Sequence, residues 1–265
     1  MASVSTRCPH CKSEYFGPEI LHNCNPFRQL RAAPNITDRI LGFIGHADQV
    51  SLARASKETS AILADGMQYG MLASNHYAEQ SGKLRVNFFN EGVAAQKLFM
   101  IDPGLRIWER LSEAEKSGFR NRIKTRNGSA GPQATPDLIF KGEIADAVTI
   151  SVSSGRPHVG LRTPEEERAH RNQQHQYSLS AIRDSLISNV QSKWNSYGDG
   201  SIAIANISAM AASVPTIFIV DTLRSTPAIT DRLHNHGLYL IRNDDLIEVK
   251  LPPVPTPAEP APPYP

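Results

Sequence analysis

The chain has 265 residues, 40% of them hydrophobic, a formal net charge of +2 and three cysteines. That length and composition allow one or two packed cores and exclude a disordered protein, and a near-balanced charge gives no argument by itself for a nucleic-acid partner. No apolar run approaches the roughly 18 residues that span a bilayer, and Met1-Ala-Ser-Val-Ser-Thr-Arg7 lacks a secretory apolar stretch. The expectation is an intracellular protein, cytoplasmic or nuclear, with no membrane partner.

All three cysteines lie between positions 8 and 24. An odd number in one short segment suits metal ligation better than a disulfide framework. Cys8-Pro-His-Cys11 puts two thiolates at the spacing of one tight turn, and His22-Asn-Cys24 follows. Cys8, Cys11, His22 and Cys24 therefore form a candidate Cys3His set for structural zinc in a segment 1–26, with His10 as a possible substitute ligand. The segment resembles the short zinc knuckles that begin Cys-Pro-x-Cys, although those place more residues between the last His and Cys. The alternative is an unstructured N-terminus with three free thiols.

A helical region is expected over 33–124. Ile36, Ile40, Leu41 and Ile44 recur at helical spacing behind Pro34, and a second helix, capped by Asp48, is expected to carry Val50, Leu52, Ala55, Thr59, Ile62 and Leu63. Over 33–63, Pro34, Ile36, Ile40, Leu41, Ile44, Asp48, Leu52, Ala53, Ser56 and Lys57 resemble an F-box. The resemblance implies a helical peg that docks into the adaptor subunit of a cullin-RING ubiquitin ligase through Pro34, Ile36, Ile40, Leu41, Ile44 and Leu52, while another domain selects a target protein. A bacterial source would make such a protein an effector delivered into a host cell. An ordinary helix pair within a core is the alternative, and the two differ in whether these side chains stay exposed.

Asn127-Gly-Ser-Ala-Gly-Pro-Gln-Ala-Thr-Pro136 marks a change of composition, after which an α/β domain is expected over 135–251. Its expected strands are 138–140, 147–153, 202–205, 216–220, 238–241 and 246–250. Thr163-Pro-Glu-Glu166 reads as a capping box, and Ile182, Leu186, Val190 and Trp194 step by four along the helix that follows. Thr226 and Pro227 start a further helix running to about His234. Histidines 158, 170, 175, 234 and 236 read as surface residues. The tail 252–265 is proline-rich and expected to be disordered. The fold class expected is α+β: a zinc-knuckle-like segment, a helical region and a small mixed α/β sheet domain.

The order of the C-terminal elements, with Pro136-Asp137 at their head, resembles the restriction-endonuclease-like fold, in its Mrr-like branch. That resemblance implies a carboxylate at Asp137, a Glu-x-Lys on the next strand, Mg²⁺ between them and nucleic acid as partner. The expected strand instead reads Ile150-Ser-Val-Ser153, while Glu248-Val-Lys250 stands on the last strand. Asp137, Glu248 and Lys250 are thus the catalytic candidates of a degenerate nuclease, and the charged pair equally suits a solvated edge strand. With no complete catalytic constellation in view, the leading expectation is an F-box-like adaptor rather than an enzyme.

Overall fold

The computed structural model describes residues 6–7, 14–15, 44–74, 83–127, 135–152 and 163–251. It divides into two compact units, 1–149 and 150–265. Helices and a mixed set of strands make it α+β. No helix among the described residues is long and apolar enough to cross a membrane.

The first unit opens with the antiparallel pair β1 (Thr6–Arg7) and β2 (Glu14–Tyr15). Cys8, Cys11, His22 and Cys24 lie outside the described residues, as do Pro34, Ile36, Ile40, Leu41 and the tail 252–265. Helix α1 (His46–Ala55) starts behind Gly45, whose extended backbone holds the cap position expected for Asp48, and Asp48 falls inside the first turn. The single helix expected beyond Asp48 is broken at Ser56. Its backbone is extended, and its Oγ accepts from Thr59 N–H at 3.0 Å, so Ser56 ends α1 and caps α2 (Lys57–Ser74). Ile62, Leu63, Met67 and Met71 of α2 are buried, as are Ala94, Ala95, Leu98 and Phe99 of α3 (Lys83–Phe99). The two helices approach closely at Gly92, where a Cβ would sit 3.0 Å from the Gln68 carbonyl.

Three antiparallel strands complete this unit: β3 (Arg106–Ile107), β4 (Leu138–Phe140) and β5 (Glu143–Thr149). Helix α4 (Glu113–Asn127) connects β3 towards β4. Lys141 and Gly142, both at positive φ, form a two-residue turn, and Asp102 Oδ2 accepts from Lys141 N–H at 2.9 Å. This turn returns the chain at once, so β5 begins at Glu143 instead of the expected 147 and ends before Ile150-Ser-Val-Ser153. The units divide after Thr149, later than the composition shift at 127–136, because β4 pairs with β3 and α3 packs on β5.

In the second unit Thr163 and Glu166 form the expected capping box at the head of α5 (Pro164–Ala181). A π turn, Ile182–Leu186, leads into α6 (Ile187–Tyr197), and Ile182, Leu186, Val190 and Trp194 are all buried as their spacing predicts. A four-residue step drifts around a helix of 3.6 residues per turn, and the wider π turn takes up part of that drift. β6 (Ile202–Asn206) runs parallel to β7 (Gly237–Arg242), and β8 (Asp245–Glu248) pairs antiparallel with β7.

The expected strand 216–220 is instead helix α7 (Thr216–Ser225). Pro215 supplies the extended residue before it, Ile219, Val220 and Leu223 face inward at helical spacing, and Ile217 and Phe218 are exposed. Tertiary packing therefore overrides the β propensity of this run. Helix α8 (Pro227–Thr230) is shorter than the expected helix to His234, which gives way to turns.

Candidate carboxylate site

Three carboxylates meet in the first unit. Leu138 pairs with Ala145, so the next pair outward sets Asp137, just ahead of β4, opposite Asp146 in β5. Their carboxyl groups are hydrogen-bonded to each other, and Ala147 N–H donates to Asp137 Oδ2 at 2.9 Å. The Asp137 carbonyl accepts from Trp108 N–H at 3.0 Å, which fixes the backbone on the other side. Helix α3 brings the third group, Glu91, close enough for its charge to act on Asp137. The neighbouring Asn90 anchors that part of the helix by donating to Thr149 Oγ1 at 3.0 Å.

Burial pushes the Asp137 carboxyl well above the ordinary carboxylate range, and the charges of Asp146 and Glu91 push it further. The Ala147 N–H opposes this and does not offset it. Asp146 is only 3% exposed. Asp137 itself is half-buried, and two opposed carboxyls resist ionising together, which is the direction of the Asp137 shift.

The donor chemistry is all oxygen, which suits a hard divalent cation. Among the described residues, however, no group of three or more His, Cys, Asp or Glu side chains is disposed to hold a metal ion. Strand alternation puts residue 148 on the face of Asp146, so the lysine position of an acid-x-Lys pattern is filled by Val148.

Glu91 and Asp146 were not among the residues expected from sequence. Asp146 did carry a signal, a lone acid inside the apolar run Ile144-Ala-Asp-Ala-Val148, nine positions after Asp137. Glu91 carried none, since an acid on an amphipathic helix is ordinary.

The other candidates are placed as follows. Glu248 and Lys250, in the second unit, pair with each other at 2.9 Å, and Glu248 Oε1 also accepts from the Tyr239 hydroxyl at 2.9 Å. Of the F-box-like positions, Ile44 is half-buried and Leu52, on α1, is 36% exposed. His236 is buried, contrary to the surface position expected. Its ring stacks on Trp194 at 4.8 Å, with Ser201 Oγ 3.2 Å from Nδ1 and Arg232 Nη2 3.2 Å from Nε2. Ser201 is buried too, so this group anchors the start of β6 and β7 and offers no accessible nucleophile.

No family model, curated protein or solved structure matches this chain.

Proposed function

We propose that the chain is a nucleic-acid-binding protein of restriction-endonuclease-like build that hydrolyses phosphodiester bonds at Asp137 and Asp146. The observation that carries this reading is the pairing of those two carboxyls across adjacent strands, with Glu91 beside them. Pro136-Asp137 followed by an acid on the next strand is the order that such chemistry uses, and Asp146 supplies the acid that Ile150-Ser-Val-Ser153 lacks.

Asp137 and Asp146 are the residues that would hold Mg²⁺, which supplies charge neutralisation and an acidified water when bound. The chain's own part is to fix Asp137 opposite Asp146 through the Ala147 N–H. With Val148 in the lysine position, Glu91 is the remaining carboxylate that could serve as base for the attacking water, and slow turnover is expected.

The test uses the purified full chain with labelled single-stranded RNA and duplex DNA, in Mg²⁺ and in EDTA. Cation-dependent products are expected, falling by about a hundredfold or more in Asp137→Asn and in Asp146→Asn and unchanged in Glu248→Gln. Absence of cutting with either substrate, or equal cutting by Asp146→Asn, overturns the reading.

The exposure of Leu52 favours a second reading, the F-box-like adaptor, with structural zinc at Cys8, Cys11, His22 and Cys24 supporting the N-terminus. Its test is a pull-down with the F-box-binding subunit of the ligase. Binding lost in the double variant Pro34→Ala, Leu41→Asp is expected on this reading. No binding by the wild type at tens of micromolar removes it.

A further inference from the structure

Helix α4 carries a charge asymmetry that the carboxylate site does not use. Its first turn holds both of its acids, and both are engaged. Glu113 pairs with Lys116 at 2.9 Å and Arg120 at 3.5 Å. Glu115 pairs with Arg106 and closes a capping box with Ser112, contacts that hold its carboxyl at about 2, led by the Ser112 hydroxyl. From Lys116 to Pro136 there is then no Asp or Glu, while Lys116, Arg120, Arg122, Lys124 and Arg126 supply five cations. In a chain of net charge +2 this is a local accumulation rather than a share of a general excess.

Two guanidinium groups of this helix are held in place and still reach water. Arg120 lies 5.9 Å over the Trp108 ring and Arg122 4.3 Å over Phe119, with side chains 42% and 44% exposed. Phe119 itself lies against Trp108 with ring centroids 6.0 Å apart and planes tilted by 59°, so the paired rings pre-order both cations. Between the flanking cations the outer face is low. Ala114, Ser117, Gly118 and Asn121 are exposed, and a Cβ added at Gly118 would meet nothing within 4 Å. Arg122 also reaches the turn of the β4–β5 hairpin, at 3.4 Å from the Gly142 carbonyl and 4.0 Å from Glu143. That hairpin carries Asp146 and follows Asp137 directly.

We propose that α4 is a backbone-binding rail for nucleic acid, in which Arg120 and Arg122 hold phosphates across the open shelf at Ser117 and Gly118. The partner is a polyanionic strand because the surface offers fixed, half-exposed cations on a helix that carries no acid of its own beyond the first turn, with only the long pairs of Arg120 to Glu113 at 3.5 Å and of Arg122 to Glu143 at 4.0 Å to compete, and a low relief that lets a sugar-phosphate chain approach. Contacts of this kind position a strand and do not read its bases, so binding is insensitive to sequence and sensitive to salt. The proposal rests on the nucleic-acid reading of the first unit, but not on whether Asp137 and Asp146 cut.

The test is fluorescence anisotropy of the full chain with labelled short single-stranded RNA, and duplex DNA as a second arm, in EDTA. The variant Ser117→Glu, Gly118→Glu adds two carboxylates at exposed positions and removes no native contact. Gly118→Ala is its matched control. Binding by the wild type is expected to weaken steeply between about 50 and 200 mM salt. The double Glu variant should bind at least about tenfold more weakly, with a salt slope reduced by about one or more, while Gly118→Ala binds as the wild type does. Arg120→Gln, Arg122→Gln should lose affinity in the same way.

Normal affinity and an unchanged salt slope in the double Glu variant, with its thermal melt intact, overturn the rail, as does the absence of any wild-type binding to either nucleic acid. Binding that follows these variants in a protein that never cuts supports the rail and counts only against the carboxylate reading. Cutting by a protein whose affinity ignores them does the reverse.

Discussion

The two units bury polar groups in opposite ways. In the second, the Arg242 guanidinium donates to the carbonyls of Val214 and Ala211 at 2.7 and 2.8 Å and to Thr216 Oγ1 at 3.0 Å, tying the end of β7 to the start of α7. Trp194 donates to the Gly237 carbonyl at 3.1 Å while stacking on His236. Here a buried donor meets neutral acceptors, and the arrangement asks nothing of the solvent. In the first unit Asp137 faces Asp146 with Glu91 alongside, and burial together with their like charges raises the Asp137 carboxyl.

Among the described residues no buried side-chain nitrogen or oxygen lacks a hydrogen-bond partner, so satisfaction by itself does not separate the two cases. What separates them is the sign of the local electrostatics. A buried cation whose partners are backbone carbonyls serves the fold, whereas two acids held against each other carry a like-charge cost.

The comparison can be sharpened by measuring each side. The larger effect belongs to the second unit. Arg242→Met should cost about 3 kcal/mol, because it removes three charge-assisted bonds and leaves buried carbonyls unmet, and the loss should appear as a lower urea midpoint with little change of slope.

The smaller effect belongs to the first unit and has the opposite sign. Asp137→Asn should stabilise the chain at neutral pH by something on the order of 1 kcal/mol, since it removes a group that resists ionisation. Folding raises this carboxyl above its unfolded value of about 3.9, so between the two values the folded chain holds a proton that the unfolded chain has released. Stability from this group is therefore complete below about pH 4 and falls as pH rises through the folded value, and the Asn variant should lack that slope. Urea titrations of both proteins across pH check the sign, and a wild type that gains stability over this window relative to the variant would break the comparison.

Local patterns carried much of the fold. Leu138–Phe140 is a strand as its composition predicts, Thr163 and Glu166 form a capping box, and the row from Ile182 to Trp194 is buried, because each depends on neighbours a few positions apart. Thr216–Val220 misled for the same reason. Its local preference is β, and it becomes helical through the buried positions of Ile219, Val220 and Leu223 and the Arg242 bonds at its start.

The candidate site divides along the same line. Asp137 stood out through Pro136-Asp137, a pattern of adjacent residues, and the basic run from Lys116 to Arg126 is open to reading in the sequence as charge. The partners of Asp137 were not. Asp146 became one when the Lys141-Gly142 turn set the register of β5, since a strand's face and opposite number change with every residue of shift. Glu91 became one only because α3, 46 positions upstream, packs on that strand. Sequence by itself determined which residues can ionise and which short segments coil or extend, because those properties are local. Only the tertiary structure decided which carboxylates meet in one site, because that depends on register and on helix packing between residues far apart in the chain.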